Sequence, residues 1–215
     1  PKWMDFIDKK IMEYVINNSE DEPELLKELA KETYQKILQP RMLSGHPQGR
    51  ILSLLSKIIR PKRILEVGTY TGYGTICLAE GLTDDGKIIT IDKNEEIIDF
   101  QNKYFEKSGY REKIIQLNGE ALDIIETLSD KFDIVFLDAD KENYIEYYKS
   151  ISNKLVKGGI LISDNVLWSG KVLEATSNDL ETDILKRFNR LLKNDKKFET
   201  IIIPIRDGVS ISRLI

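Results

Sequence analysis

The chain has 215 residues, 41% hydrophobic and 32% charged, with a formal net charge of −4 at pH 7. These values are typical of one folded domain, expected here over 1–215 with helices in 1–60 and an α/β core in 61–215. The negative charge disfavours a general nucleic-acid binder. The one cysteine, Cys77, excludes an internal disulfide framework and favours a reducing compartment.

The N-terminal third is predicted to be helical. Apolar residues recur at helical spacing from Trp3 to Val15, which predicts a helix over 2–17. Acidic residues interrupt this segment, so we expect no signal peptide, no membrane span and a cytoplasmic location. Pro23 suits the first turn of a second helix that runs to about residue 38. Prolines and glycines over 40–49 then predict a loop, followed by a helix over 51–59.

From Arg63 onward, strand patterns and helix patterns alternate. This order predicts a mostly parallel seven-stranded sheet with helices on both faces. The turn Arg206-Asp207-Gly208 joins the last two strands, which should form an antiparallel hairpin. The predicted strands are 63–68, 87–92, 114–119, 132–138, 158–163, 198–205 and 209–215, and the predicted helices are 73–81, 94–107, 120–128, 141–155 and 177–193.

Two acidic segments follow apolar runs that read as buried parallel strands. They are FDIVFLDADKENY, over 132–144, and GILISDN, over 159–165. Asp138, Asp140, Asp164 and Asn165 should therefore lie at the carboxyl edge of the sheet, where ligands bind in open α/β folds. Carboxylate and amide oxygens suit a hard cation, so this edge is a candidate site for Mg²⁺, Mn²⁺ or Ca²⁺.

A glycine-rich turn follows the first strand in the segment RILEVGTYTGYG, over 63–74. Its glycines, Gly68, Gly72 and Gly74, would let the backbone approach a ligand at a helix start. The dinucleotide fingerprint G-x-G-x-x-G is absent. Asp92 closes the second strand and is well placed to hold the two hydroxyls of a ribose. The pattern favours a nucleoside-bearing cofactor without a pyrophosphate; alternatively, the glycines only shape a tight turn.

Four motifs in order, LEVGTYTGYG, TIDKN, FDIVFLDADKENY and LISDNVLWSGKV, resemble the cation-dependent O-methyltransferases. That family includes catechol and caffeoyl-coenzyme A O-methyltransferases and many small bacterial relatives, and the likeness runs from about Met42 to the C-terminus. The resemblance implies a Rossmann-like class I methyltransferase, a homodimer that uses S-adenosylmethionine and a divalent cation, with Mg²⁺ foremost, to methylate a hydroxyl of an aromatic small molecule.

The resemblance also assigns roles to individual residues. Lys141 would be the catalytic base, and Asp138, Asp164 and Asn165 would hold the metal. One departure is Gly74, where relatives often carry Ser, and it puts in doubt one hydrogen bond to the methionine carboxylate of the cofactor. The residues expected at the cofactor are Met42, Ser44, Glu66, Gly68, Thr69, Gly72, Gly74, Asp92, Ala121, Asp138 and Asp140.

These residue types suit methyl transfer to a phenolic oxygen. A neutral phenol is a poor nucleophile, and a cation would stabilise its oxyanion and fix two adjacent oxygens. A neighbouring cation or partial burial would lower the pKa of Lys141 and make its amine available as a base.

Each residue also has a purely structural alternative: Asp140 as a helix cap, Lys141 as a solvated residue and Asp164-Asn165 as a turn. The functional interpretation is favoured, because otherwise all three alternatives would have to apply together at two adjacent strand ends.

Several other side chains have open roles. His46 is read as a loop side chain near the cofactor entrance, and Cys77 as a small packed residue. Trp168 is either a wall of the acceptor pocket or a core or interface aromatic, and the same alternatives apply to Tyr70 and Tyr73.

A basic stretch between Thr33 and Leu65 contains seven Lys or Arg and no acidic residue. The favoured interpretation is a solvated helix face. The more specific alternative is a surface that binds the phosphates of coenzyme A or RNA. The stretch motivates a second hypothesis, methylation of a hydroxylated uridine in tRNA. A third hypothesis is a cofactor-binding module that has lost catalysis. The presence of the complete candidate set argues against it: Asp138, Lys141, Asp164 and Asn165.

Overall fold

A computed structural model describes residues 7–174 and 179–215. Over these ranges no helix is both long and apolar enough to cross a membrane. The described helices are α1 (Lys9–Asn17), α2 (Glu24–Lys36), α3 (Gly45–Ile59), α4 (Tyr73–Ala79), α5 (Ile98–Ser108), α6 (Ala121–Thr127), α7 (Tyr144–Ile151) and α8 (Leu180–Asn194). The described strands are β1 (Arg63–Val67), β2 (Lys87–Asp92), β3 (Ile114–Asn118), β4 (Phe132–Leu137), β5 (Leu155–Asp164), β6 (Phe198–Ile203) and β7 (Val209–Leu214).

The strands form a seven-stranded sheet in the order β3-β2-β1-β4-β5-β7-β6 within the described chain. β1 to β5 pair in parallel, and β7 runs antiparallel to both of its neighbours. The mostly parallel sheet and its C-terminal antiparallel hairpin are confirmed. Because the strand order reverses between β1 and β4, a crevice opens at their carboxyl ends.

Helices cover both faces of the sheet, as the alternating pattern predicts. One apolar core joins residues of α2 to α5 to one face, with Leu29, Cys77 and Phe105 fully buried in it. The other core joins α6, α7 and α8 to the opposite face, around Tyr144 and Phe188. The rings of these two residues meet edge to face with centroids 5.2 Å apart. Burial on both faces explains why the central strands are continuous apolar runs.

The predicted loop over 40–49 is wrong in its second half, because α3 begins at Gly45 and not at residue 51. Pro47 lies in the first turn of α3, where a missing N–H breaks no helical hydrogen bond. Gly49 is needed for packing, since a Cβ there would lie 2.5 Å from Cε1 of Tyr73. His46 therefore belongs to α3, and its Nε2 lies 2.7 Å from the carbonyl oxygen of Glu20.

The segment after β4 also differs from its prediction as one helix over 141–155. Lys141–Asn143 form a short 3-10 turn, α7 ends at Ile151, and β5 begins at Leu155 instead of residue 158. Leu155 is buried and pairs with Phe132, so packing outweighs the helical pattern there. Parts of two other predicted helices, 2–17 and 177–193, fall outside the described residues at 1–6 and 175–178.

Candidate active site

A cleft of about 1960 Å³ opens at the carboxyl edge of the sheet, and a cavity of about 10 Å³ adjoins it beneath Met42. Gly72 lines neither space; a Cβ there would meet the ring of Phe105 at 2.5 Å. The small cavity is lined by the predicted residues Met42, Ser44, Glu66, Gly68, Thr69, Gly74 and Asp138. The cleft is lined by the predicted residues Met42, Gly68, Asp92, Ala121, Asp138, Asp140, Lys141, Asp164 and Asn165.

Gly68 connects the glycine-rich turn to the end of β4. It has a φ of +100°, and a Cβ at this position would lie 1.9 Å from the carbonyl oxygen of Asp138. Only glycine permits this close approach with this backbone conformation. The turn predicted to hold the cofactor and the first predicted metal ligand are therefore in direct backbone contact.

Glu66 is buried at the rear of the small cavity, with 1% of its surface exposed. Its Oε2 accepts hydrogen bonds from the hydroxyls of Thr75 and Thr90, the latter at 2.6 Å. Burial raises the pKa of Glu66 to about 8, against the opposing effect of the two hydroxyls. A Cβ at Gly74 would lie 2.8 Å from Glu66 Oε1, so the absence of a side chain at Gly74 gives this carboxyl its space.

Asp92 lies at the end of β2 with its carboxylate fixed by backbone donors. Its Oδ2 accepts from the N–H of Tyr70 at 2.7 Å, and its Oδ1 accepts from the N–H of Asn94 at 2.9 Å. Gln101 supports this arrangement because its Nε2 donates to the carbonyl oxygen of Tyr70 at 2.5 Å. A carboxylate oxygen has more than one acceptor position, so Asp92 can still accept from a ribose diol in the cleft.

Asp138, Asp164 and Asn165 come together at the ends of β4 and β5, as predicted. Asp164 is buried, and its pKa is raised to about 6 by that burial and then by the charge of Asp138. Its Oδ1 accepts from the N–H of Asn165 at 2.7 Å, and its Oδ2 accepts from Nε2 of Gln48 at 2.6 Å. Asn165 has a φ of +59° that turns the chain at the end of β5.

This donor set fits a divalent cation that prefers oxygen. Two carboxylates balance the charge of the ion, and an amide adds a neutral ligand while leaving positions open for other oxygens. The described residues contain no group of three His, Cys, Asp or Glu side chains arranged to hold a metal. The predicted donor set therefore consists of two carboxylates and the amide of Asn165.

Lys141 is buried beside these carboxylates, with 6% of its surface exposed. Its Nζ donates to Oδ1 of Asp138 at 3.2 Å and to the hydroxyl of Tyr144 at 2.7 Å, and it lies 4.7 Å from the centroid of the Tyr144 ring. That hydroxyl donates in turn to the carbonyl oxygen of Asp164 at 2.9 Å. Burial, followed by the charges of nearby carboxylates, raises the pKa of Tyr144, which keeps the phenol protonated in this chain of hydrogen bonds. The burial of Lys141 contradicts its reading as a solvated residue.

Asp140 is exposed at the mouth of the cleft. Its Oδ1 accepts from the hydroxyl of Tyr147 at 2.7 Å, and its Oδ2 accepts from Nδ2 of Asn143 at 2.5 Å. The side chain makes no capping bond to the helical backbone, so the plain reading as a helix cap is not supported.

The residues with open roles divide by position. Trp168 and Tyr70 line the cleft, and Tyr73 lines the small cavity and donates to Oε1 of Glu22 at 2.5 Å. Cys77 is fully buried, and burial raises the pKa of its thiol to about 12, as expected of a packed residue. His46 does not line the cleft.

Five of the seven basic residues in the basic stretch form ion pairs with acidic residues in the described structure. Arg50 and Lys57 both pair with Glu80, at 2.7 and 2.8 Å. A continuous phosphate-binding surface is therefore not supported. The other pairs from this stretch are Lys36 with Glu32, Lys62 with Asp85 and Arg63 with Asp130.

Two residues of this edge are absent from the predicted site: Gln48, which contacts Asp164, and Asp207, which lines the cleft. The sequence predicts a loop at Gln48, because Pro47 and Gly49 flank it and obscure the start of α3. The sequence predicts Asp207 only as a turn residue of the C-terminal hairpin, whereas in the structure it lines the cleft. The sequence offered only a weak signal for either residue, since each reaches the site from a distant segment.

Comparison with known proteins gives a consistent result. A family model described as "O-methyltransferase" matches residues 16–215. The caffeoyl-CoA O-methyltransferase of Pinus taeda is 35% identical over 94% of this chain and 83% of its own length. The O-methyltransferase TomG of Streptomyces achromogenes, solved with SAM, superposes with a TM-score of 0.88 at 27% identity, covering 95% of this chain and 96% of its own. An O-methyltransferase from Bacillus cereus, solved with SAH, superposes with a TM-score of 0.88 at 27% identity. The superposition covers 96% of this chain and 97% of that one.

Proposed function

The chain belongs to the O-methyltransferase family, and we propose that this S-adenosylmethionine-dependent enzyme methylates a hydroxyl of a catechol-type aromatic small molecule with the help of a divalent cation. Its fold is that of the Rossmann-like class I methyltransferases. The observation that carries the proposal is the buried Lys141 amine, 3.2 Å from Asp138 and on the same sheet edge as Asp164 and Asn165.

Polar groups held by hydrogen bonds would bind the cofactor on one side of the site. Asp92, held by two backbone N–H groups, would accept the ribose hydroxyls. The methionine end would lie toward the small cavity between Ser44 and Gly74. Asp138 and Asp140 add negative charge to the cleft between these two ends, which suits a cationic sulfonium.

The metal side would use Asp138, Asp164 and Asn165 as protein ligands. Mg²⁺ is favoured over Mn²⁺ and Ca²⁺, and the ion would supply Lewis-acid stabilisation of an oxyanion together with a template for two adjacent oxygens. Gln48 and the N–H of Asn165 hold the Asp164 carboxylate in a fixed orientation. This orientation of the Asp164 carboxylate would reduce the reorganisation needed to bind the ion.

Lys141 would take the proton from the acceptor hydroxyl. Lys141 lines the cleft, and the contacts of its Nζ with Asp138 and Tyr144 hold the amine beside the proposed metal ligands. The indole of Trp168 lines the same cleft and would provide a face for an aromatic acceptor. These positions support a ring held with its hydroxyl beside Lys141.

A pair of acceptors tests the proposal. Purified protein with SAM and Mg²⁺ should methylate a 3,4-dihydroxyphenyl acceptor, while the matched 4-hydroxyphenyl acceptor should react poorly, because one oxygen cannot use a two-oxygen template. Equal rates on both acceptors would contradict the catechol requirement. A parallel arm with bulk tRNA tests the second hypothesis, which the ion-paired basic stretch does not favour. Binding of SAM without turnover on any acceptor would instead support the inactive module.

We also propose that the protein is a homodimer. α1 leaves Ile11 and Tyr14 exposed, and α3 leaves Leu54 and Ile58 exposed at 59% and 70%. Apolar side chains of this size on two helices support an interface with a second copy. Light scattering coupled to size-exclusion chromatography would give the mass directly, and a mass near the monomer value of 24.8 kDa would contradict the proposal.

A further inference from the structure

Tyr144, the first residue of α7, is fully buried and in contact with the proposed base. The Nζ of Lys141 lies 2.7 Å from the hydroxyl oxygen of Tyr144. The same hydroxyl oxygen lies 2.9 Å from the carbonyl oxygen of Asp164 and 3.3 Å from the carbonyl oxygen of Leu137. One buried hydroxyl therefore connects the amine of Lys141 to the backbone at the ends of β4 and β5.

The neighbours of the Tyr144 hydroxyl decide where its single proton lies. A carbonyl oxygen only accepts hydrogen bonds, so the carbonyl groups of Asp164 and Leu137 need the hydroxyl as a donor. Because the proton is directed to the backbone, a lone pair of the hydroxyl oxygen is left for an N–H group of Lys141. The Tyr144 hydroxyl thus acts as an acceptor toward the amine.

Asp138 accepts a second hydrogen bond from the same amine. Its Oδ1 lies 3.2 Å from Nζ of Lys141, and a carboxylate only accepts. A neutral amine carries two N–H bonds and one lone pair in addition to its bond to Cε. When the two N–H bonds are directed to Tyr144 and Asp138, the lone pair takes the remaining position on the nitrogen. Tyr144 is buried whereas Lys141 lines the cleft, so that remaining position is the one open to an acceptor.

We propose that Tyr144 is a positioning residue that, together with Asp138, turns the lone pair of the Lys141 amine toward the acceptor hydroxyl. This inference rests on the base role of Lys141 in the proposed function and adds a residue from the buried side of the site. In the proton transfer, the acceptor O–H bond breaks with its electron pair left on the oxygen, and a new N–H bond forms at Nζ. The resulting ammonium keeps its hydrogen bonds to Tyr144 and Asp138.

Tyr144→Phe removes the hydroxyl and keeps the ring, which packs edge to face on Phe188. One N–H bond of Lys141 then lacks its fixed partner and can turn to the acceptor oxygen, which directs the lone pair away from the proton that it must take. Single-turnover methylation of a 3,4-dihydroxyphenyl acceptor should slow by about tenfold to a hundredfold, as expected for a misplaced catalytic group. The KM for the acceptor and the affinity for SAM should each change by less than about threefold, because no group proposed to bind either is removed.

The matched control is Tyr148→Phe, one helical turn further along α7. The hydroxyl of Tyr148 also donates to an oxygen, in the carboxylate of Asp195, but neither of these two described residues lines the cleft. This variant loses a hydroxyl from the same helix and should methylate the acceptor within about threefold of wild type.

A more acidic acceptor separates orientation of the base from general damage to the site. The hydroxyl para to the nitro group of 4-nitrocatechol is already ionised in mildly alkaline buffer, so methylation of that oxygen needs no proton transfer to Lys141. Tyr144→Phe should therefore methylate 4-nitrocatechol within about threefold of the wild-type rate.

Each outcome has a separate meaning. Equal rates of wild type and Tyr144→Phe on the 3,4-dihydroxyphenyl acceptor would overturn the inference. So would an equal loss on 4-nitrocatechol, or the same loss in Tyr148→Phe, because both indicate a structural role only. If Tyr144→Phe does not fold, Tyr144→Met gives the same comparison, because its flexible side chain fills the space without a hydroxyl. Failure of the wild-type protein to methylate either acceptor would instead contradict the proposed function.

Discussion

Gln48 and Asp164 are 116 positions apart in the chain, yet Nε2 of Gln48 lies 2.6 Å from Oδ2 of Asp164. Both side chains are buried, at 2% and 4% exposure. The bond joins the first turns of α3, next to the loop that borders the cofactor, to a predicted metal ligand at the end of β5. An N-terminal helix thus contributes a side chain to the edge of the sheet where the metal is proposed to bind.

Replacing Gln48 with Met should weaken metal binding. Met keeps the length of the side chain but removes the donor, and the bond from Gln48 lowers the pKa of Asp164 against the effect of burial. Without that bond the pKa rises further above about 6. Because metal binding needs the ionised carboxylate, the Mn²⁺ affinity curve should shift to higher pH, with a loss of about tenfold near pH 6.

The matched control for this variant is Gln35→Met, the same change at an exposed position of α2. Its Mn²⁺ affinity should follow the wild-type curve at each pH. An unshifted curve for Gln48→Met would show that the bond to Asp164 does not tune the site.

Lys141→Met should reduce turnover by about a hundredfold to ten-thousandfold, the range expected for loss of a general base. Affinity for SAM should be retained, because the amine contacts Asp138 and Tyr144 and no backbone group of the glycine-rich turn. Single-turnover methylation and SAM calorimetry measure the two quantities separately. Lys149→Met is the matched control: Lys149 also pairs with a carboxylate three residues earlier, Glu146, but at the exposed surface. Equal turnover of Lys141→Met and Lys149→Met would remove the base assignment.

Glu66→Gln should stabilise the protein at alkaline pH. The pKa of Glu66 is raised by burial from 4.5 to about 8, so the folded state holds a proton that the unfolded state releases. The protonated Glu66 carboxyl makes its full contribution to the free energy of unfolding below about pH 4.5. That contribution is lost as the pH rises through about 8. Glutamine does not titrate, so the variant should gain several degrees in Tm over wild type at about pH 9 and little at about pH 5.

Thermal unfolding of both proteins across this pH range checks the sign, with Glu126→Gln as the exposed control on α6. A constant difference in Tm between Glu66→Gln and wild type at every pH would contradict the raised pKa of Glu66.

The sequence was sufficient to predict the sheet and the acidic strand ends, because both depend on local patterns. Runs such as Ile134–Leu137 are apolar at every position, which marks a strand buried on both faces, and parallel strands place their carboxyl ends together. The sequence alone therefore predicts that Asp138, Asp164 and Asn165 are neighbours. The roles of Asp92 and Glu66 depended on the family resemblance as well as on position.

Contacts between segments that are distant in the sequence could not be predicted from such local patterns. Gln48 and Asp207 approach the site from the N-terminal helices and the C-terminal hairpin, and their partners are fixed only once α3 and the β6–β7 turn have packed. Pro47 and Gly49 predicted a loop, yet the helix forms because Pro47 falls in its first turn and Gly49 allows close packing on Tyr73. Tertiary packing decided the outcome at each of these positions.

The most direct test of the account is metal removal and restoration in the methyl-transfer reaction. Protein stripped with EDTA should bind SAM but fail to methylate a catechol acceptor, and added Mg²⁺ should restore the rate in wild type but not in Asp164→Ala. That pattern would place Asp164 and a divalent cation in the reaction. Full activity of the stripped wild-type protein in excess EDTA would contradict the central claim.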